Sequence, residues 1–403
     1  MVKNDCFLLG AIFLYLLLAN IPVLYSSYSG DDWPNSQIPF WISWRYGDLN
    51  PVNILRESLY WINEWIVGQG RFYPLAWIES HFIFSLFRNL VIYKIFQMSI
   101  LTLSELLFLT YILRLTKSRS LTLLTLLFLT VLVRFRTDFD PHFAYATLIP
   151  SALIKVLLAN FLILWNRYDT KLFRLRFWIA GGIYFLAMCT YELSFLLFPT
   201  LVLTYCVSEV NRSPEKFYQN KSSILRQILK SLISRDFKPI LISWLSYFSL
   251  VFLILRPNSN PSGAYSLGIN LKSIEIFLGQ LFVGLPLYKN IQFQFDNSFF
   301  ILFVIFLCTS AIFLYFQLSL FRKEQTNKII KSKIKLYNEK RNQKFYLLIA
   351  LNFIACQATM IAMQPIWFDK LNIFHSYLGV YFTELGTAFI ISIFTVRLLR
   401  KFI

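Results

Sequence analysis

The sequence predicts an all-α fold: a polytopic bundle of about ten transmembrane helices, N-in and C-in, with interfacial helices on its outer face. Three observations predict it. Only 15% of the 403 residues are charged, where a soluble domain carries about 25%. Hydrophobic residues make up 57% and mean hydropathy is +0.55. Apolar runs of about 18 residues or more recur along the chain, the length that crosses a bilayer.

Lys3 precedes an apolar run from Cys6 to Tyr25. It is longer than a secretory core and lacks a small-residue cleavage site, so it reads as a retained first span, 6–25. Residues 26–90 form a long, structured first outer loop. It holds Trp33, Trp41, Trp44, Trp61, Trp65 and Trp77, and tryptophan at this density marks a membrane interface. Its segment FYPLAWIESHFIFSLF (72–87) is apolar enough for a span. A crossing there would carry every later basic loop outside, so it is expected to lie on the outer surface, with Glu79 and His81 on its wetter side. Six further spans follow at 91–113, 120–135, 146–165, 177–190, 193–208 and 238–256. A second long outer loop, 257–297, opens on the turn-rich RPNSNPSGAYSLG and continues as a surface helix over 271–287. Spans at 298–320, 345–363 and 376–396 complete a single transmembrane domain, 1–403, with no internal repeat.

Charge sets the orientation. With the N-terminus inside, the inner segments hold 27 of the 39 lysines and arginines but only 7 of the 21 acids. The inside is then +20 and the remainder −2, as the positive-inside rule requires. This placement accounts for the net +18 without nucleic acid. The run KIIKSKIKLYNEKRNQK (328–344) reads as an inner anchor beside anionic lipid. The sequons at Asn211 and Asn220 fall inside as well. The five cysteines lie in apolar segments without metal or CxxC spacing, as small packing residues do.

The acids of interest share the outer face. Asp31 and Asp32 follow the first span in SYSGDDWPN, Asp138, Asp140 and His142 lie in RFRTDFDPHF (134–143), and Glu192 lies in CTYELSF (189–195), where two spans meet with almost no loop. Each has a plain alternative. Asp31 and Asp32 suit a helix cap ahead of Pro34. Asp138-x-Asp140-x-His142 has a hard-metal pattern, yet Arg134 and Arg136 would pair equally well with its acids. Glu192 suits a buried acid satisfied by an arginine.

An acid pair just after the first span, in GDDWP (30–34), followed by a long outer loop, GQGRFYPL (68–75) and a later Tyr191-Glu192, resembles the GT-C glycosyltransferases. The similarity covers the topology and about the first 195 residues, and is greatest to the bacterial integral-membrane glucosyl- and mannosyltransferase-like proteins. The resemblance implies a donor sugar on a polyprenyl phosphate and a glycan or lipid acceptor. It implies inverting transfer at the periplasmic or extracellular face of a bacterial inner membrane. It implies Asp31 or Asp32 as general base, Asp31 favoured by its place in the motif, and Arg71 as the leading phosphate contact. Arg134, Arg136, Arg256 and Lys289 follow as weaker contacts. Glu192 and Tyr191 would bind sugar hydroxyls, or Glu192 would steady an arginine. Asp138, Asp140 and His142 match the superfamily's second acidic site in position and would hold a divalent cation, Mg or Mn. The sequence ends RLLRKFI after its last span, without the C-terminal periplasmic domain of larger members, which leaves acceptor recognition unassigned.

Such an arrangement has a physical logic. The reactive sugar carbon sits at headgroup level, the acceptor hydroxyl needs a carboxylate to take its proton, and the leaving phosphate needs cationic donors. Two alternatives compete. A lipid-linked polysaccharide polymerase or ligase leans on outer-loop Arg and His. A transporter or flippase expects charges near the midplane, where only Glu105 and Lys155 stand out.

Overall fold

A computed structural model describes residues 3–28, 32–133, 147–165, 170–212, 223–259, 268, 271–282, 333–363 and 380–402. They are helical throughout, with no strand among the described residues. In chain order the helices are α1 (Lys3–Ala19), the single turn α2 (Asp32–Asn35), α3 (Ile38–Tyr46), α4 (Pro51–Gln69), α5 (Pro74–Leu86), α6 (Leu90–Thr116), α7 (Arg119–Val133) and α8 (Ile149–Leu164). There follow α9 (Thr170–Thr190), α10 (Phe198–Arg212), α11 (Ile224–Ile233), α12 (Lys238–Phe248), α13 (Leu271–Phe282), α14 (Lys333–Ala362) and α15 (Val380–Phe402). A π-helical stretch, Ser249–Leu255, and a 3-10 turn, Arg256–Asn258, prolong α12.

Six stretches among the described residues are long and apolar enough to cross a membrane: Asp5–Tyr25, Leu90–Thr116, Glu192–Arg212, Lys238–Asn258, Arg341–Ala362 and Val380–Leu399. Each coincides with an expected span. The expected spans at 120–135, 146–165 and 177–190 fall on α7, α8 and α9. Arg119–Thr130 and Ile149–Leu164 are apolar but shorter than a full crossing. The span expected at 298–320 lies outside the described residues.

Helix starts follow local chemistry. Proline opens α4 and α5 and sits in the first turn of α3, α8 and α12, where its missing N–H costs nothing. Asn50 and Asn89 accept the Asn53 and Val91 backbone N–H groups at 2.9 and 2.8 Å. The main core joins α6 to α10, α12, α14 and α15. Among the described residues, helix α1 packs on α6 and α7 through Ile12, Leu16, Leu109, Leu123 and Leu126. Its ends are tied by charge and amide: Arg119 to Asp5 at 2.7 Å, and Asn20 Nδ2 to Glu105 Oε2 at 2.8 Å. Gly386 lets α15 press on α14. A Cβ there would sit 2.6 Å from the Ala350 carbonyl oxygen and 2.9 Å from Phe353 Cβ.

Helices α3 to α5 form a separate layer at the α6 N-terminal end, the end that the charge bias assigns to the outside. Ile38, Ile42, Ile54, Phe84 and Tyr93 are its small core. Phe40, Trp41, Trp44, Tyr60 and Trp61 stay exposed, as an interfacial belt requires. The segment 72–87 folds into α5, but its polar face is only partly wet, at Glu79. His81 is fully buried and Glu79 is engaged by a neighbouring helix. The reason is partnership: Lys155 Nζ and Ser151 Oγ of α8 donate to Glu79 at 2.6 and 2.7 Å. That ion pair also accounts for Lys155, the charge singled out within a span.

His81 Nδ1 lies 2.9 Å from Ser58 Oγ of α4. Ser58 Oγ also stands 2.8 Å from the Ile54 carbonyl, and the His81 ring has no exposed edge. Burial pushes its pKa down from 6.5 to about 4. The unfolded chain therefore binds a proton at a pH where the folded chain does not, so this contribution is complete above pH 6.5 and declines as pH falls towards 4. It amounts to about 3 kcal/mol over that window. Thermal unfolding of wild type and His81→Phe at pH 7 and at pH 4.5 is expected to show a larger drop on acidification for wild type.

Candidate functional site

The candidate residues gather at two poles on α5. At its C-terminal end, Asp32 begins the one-turn α2 and is 2% exposed. The Tyr93 hydroxyl donates to its Oδ2 at 2.6 Å. The Tyr28 ring lies tilted 5.5 Å from that of Tyr93, and its phenol pKa is raised by burial and then by Asp32. Lys94, fully buried and within electrostatic reach of Asp32, donates to Gln97 Oε1 at 2.8 Å. Gln97 Nε2 and Ser85 Oγ are buried without hydrogen-bond partners among the described residues. The pole thus combines a carboxylate, two phenols, a lysine side chain and polar groups with spare capacity. Asp31 lies next in sequence but outside the described residues.

At the N-terminal end of α5 stands an arginine pole. Arg71 follows the C-cap of α4, where Gly70 takes φ +62°. Its Nε and Nη2 both donate to Glu192 Oε1, and its guanidinium lies 4.7 Å over Tyr73 and 5.5 Å over Trp65. Glu192 reaches it because α9 stops at Thr190 and a 3-10 turn starts at Glu192, so the acid projects from a tight link between two helices. Arg256 completes the pole, its charge bearing on both Glu192 and Arg71. The Tyr247 hydroxyl donates to the Phe72 carbonyl at 2.7 Å and fixes the same loop. A Cβ on Gly70 would collide with Ser259 Oγ and sit 3.3 Å from Arg256 Cγ. Gly70→Ala is therefore expected to destabilise the protein by about 1–3 kcal/mol and to displace Arg256, read as a lower midpoint in thermal unfolding.

Tyr191 is elsewhere. It is buried in the core with its hydroxyl 3.9 Å from Met360 Sδ. Arg134, Arg136, Asp138, Asp140, His142 and Lys289 lie outside the described residues.

The two poles do not meet. Pro74 and Phe84 stand ten positions apart in α5, a rise of roughly 15 Å. Between the poles Tyr73, Trp77 and His81 recur along one side of α5, and Trp61 stacks on Trp77 at 5.6 Å while Trp65 stands 5.8 Å away. A phosphate held by Arg71 would therefore lie far from Asp32, and the cation beside Asp32 is Lys94. Sequence inspection missed Lys94 because it lies inside an apolar run. Its signal was a lone lysine one turn into a span, directly after a tyrosine.

Among the described residues no group of three or more His, Cys, Asp or Glu side chains gathers as a metal site. No family model matches the chain, and no match was found among curated proteins or solved structures.

Proposed function

We propose that this membrane protein is a glycosyltransferase of the GT-C type, moving a sugar from a polyprenyl-phosphate donor to a glycan or lipid acceptor at the outer membrane face. The observation that carries this reading is the buried Asp32, held by Tyr93 and neighboured by Lys94, at the membrane end of the first span. In the proposed reaction the acceptor oxygen attacks the anomeric carbon from the face opposite the phosphate. The C–O bond to the phosphate breaks, the polyprenyl phosphate leaves with the bonding pair, and the acceptor proton passes to a carboxylate. Asp31 is the proposed base. Asp32 already accepts from Tyr93 and orients, and Lys94 faces the leaving phosphate. Arg71, Glu192 and Arg256 bind a more distant part of donor or acceptor. No step is routed through a metal.

The test is release of label from radiolabelled polyprenyl-phosphate hexoses by the protein in nanodiscs. Release by wild type and not by Asp31→Asn/Asp32→Asn supports the reading; no release with any donor from folded protein overturns it.

One observation favours a second reading, transport. Glu105 and Glu384 are both buried within spans, on helices joined by Ser104 Oγ and the Tyr381 hydroxyl at 2.6 Å. Intramembrane acids are costly and mark ion or substrate paths. Flux into liposomes that is lost in Glu105→Gln, without any sugar release, would favour this reading.

A further inference from the structure

The link between α10 and α12 carries a helix that belongs to neither span. The apolar stretch Glu192–Arg212 ends here and Lys238–Asn258 begins here, at the end of the bundle that the charge bias assigns to the inside. Between them α11 starts on Ser223, whose hydroxyl accepts the Arg226 backbone N–H at 3.3 Å. Gln227 and Ser231 are buried against α10. Gln227 Nε2 donates to the Cys206 carbonyl at 3.3 Å, Ser231 Oγ stands 3.2 Å from Cys206 Sγ, and just past α11 Ser234 Oγ donates to the Tyr205 hydroxyl at 3.2 Å. Contacts from successive turns thus fall on two adjacent residues of α10, the pattern of helices that cross rather than run side by side.

The exposed side of α11 has two parts. Leu225, Leu229 and Ile233 form a row one turn apart and are 67%, 51% and 75% exposed. Arg226 and Lys230 follow that row by one residue, about 100° further round, and are exposed as well. Ile224, Ile228 and Leu232 turn to the main core. Round the helix the order is bundle, apolar row, basic pair. Water offers nothing to three aliphatic side chains in line. A bilayer surface takes such a row among its acyl chains and meets the flanking cations with its phosphates.

Depth and charge select the occupant. Cys206 lies six positions before Arg212 in α10, roughly 9 Å in from that charged end, and in-plane helices sit about 5–10 Å into the headgroup boundary. From Arg226 to Lys238 the cations are Arg226, Lys230, Arg235 and Lys238, and the acid is Asp236, a balance that suits anionic headgroups. We infer that α11 is an in-plane anchor docked on an anionic bilayer surface. Leu225, Leu229 and Ile233 enter the leaflet, and Arg226 and Lys230 bind headgroup phosphates. The inference rests on the membrane reading of the apolar stretches and is independent of the proposed chemistry.

The test uses the full chain in nanodiscs of equal phosphatidylglycerol and phosphatidylcholine, with Cys308 and the exposed Cys6 replaced by alanine and one cysteine introduced. Cys189, Cys206 and Cys356 are buried and stay unlabelled. A nitroxide at Leu229→Cys is expected to collide more often with oxygen than with a water-soluble nickel chelate, and one at Arg226→Cys to show the reverse order. Nickel collisions as frequent at Leu229 as at Arg226 would put both in water, and exclusion of both colliders from Leu229 would mean that protein covers the row; either result overturns the proposal. A fluorophore at Leu229→Cys is expected to be quenched at least about twofold more by phosphatidylglycerol than by phosphatidylcholine carrying the same nitroxide near the top of its acyl chain. Adding Arg226→Gln and Lys230→Gln is expected to bring the two lipids to parity, and the fold tolerates both because the side chains are exposed. Equal quenching before those substitutions, or a preference that survives them, overturns the proposal.

Discussion

If the proposed transfer is the reaction, Asp31→Asn is expected to slow it roughly 10²–10⁴-fold, the loss that follows removal of a positioned proton acceptor. The loss should fall on kcat, because the acceptor hydroxyl still binds and only its deprotonation fails. Asp32→Asn is expected to act through position. It exchanges a carboxylate for an amide against Tyr93 and leaves Lys94 without its neighbouring charge, so binding and rate should fall together. Tyr93→Phe removes one hydrogen bond to a charged group, worth about 1.5–3 kcal/mol, or about ten- to a hundredfold. A graded series, Asp31→Asn worst and Tyr93→Phe mildest, fits the assignment of base and orienter. Full transfer by the double Asn variant would return both acids to helix capping.

The second large effect is structural. Gly386→Val is expected to cost about 3 kcal/mol or more, because a side chain there meets backbone and Cβ atoms that no rotamer change can move. The Ala350 carbonyl is held in α14, and Ile354 and Phe353 pack on the same side of it. Thermal unfolding and size-exclusion profiles in detergent check it. Gly182→Ala is the control, since nothing stands within 4 Å of a Cβ at Gly182. Equal midpoints for the two variants would remove the case for tight α14–α15 packing.

The periodic and compositional layers of this fold were legible in the sequence. Hydropathy located the six stretches long and apolar enough to cross, proline and asparagine stand at helix starts, and the short link at CTYELSF placed Glu192 at a helix junction. Pairing across the chain was not legible. Arg71 and Glu192 stand 121 positions apart, and no local pattern says that one satisfies the other. His81 was expected to be wet because imidazole is polar, yet a serine one helix away let it be buried. Lys94 and Glu384 were hidden by the averaging that makes hydropathy useful: one charge in a long apolar run scarcely changes the mean. The Asp32 environment depends on a tyrosine contributed by a later helix, which the GDDWP motif does not contain.

Helix α5, stiffened on one side by stacked indoles, acts as a ruler. Its two ends are held apart by the rise of the helix itself, roughly 15 Å, so the gap between carboxylate and arginine is set by α5. A molecule short of that length touches one end at a time. On the proposed reading, only a donor or acceptor long enough to span both would gain the two sets of contacts together.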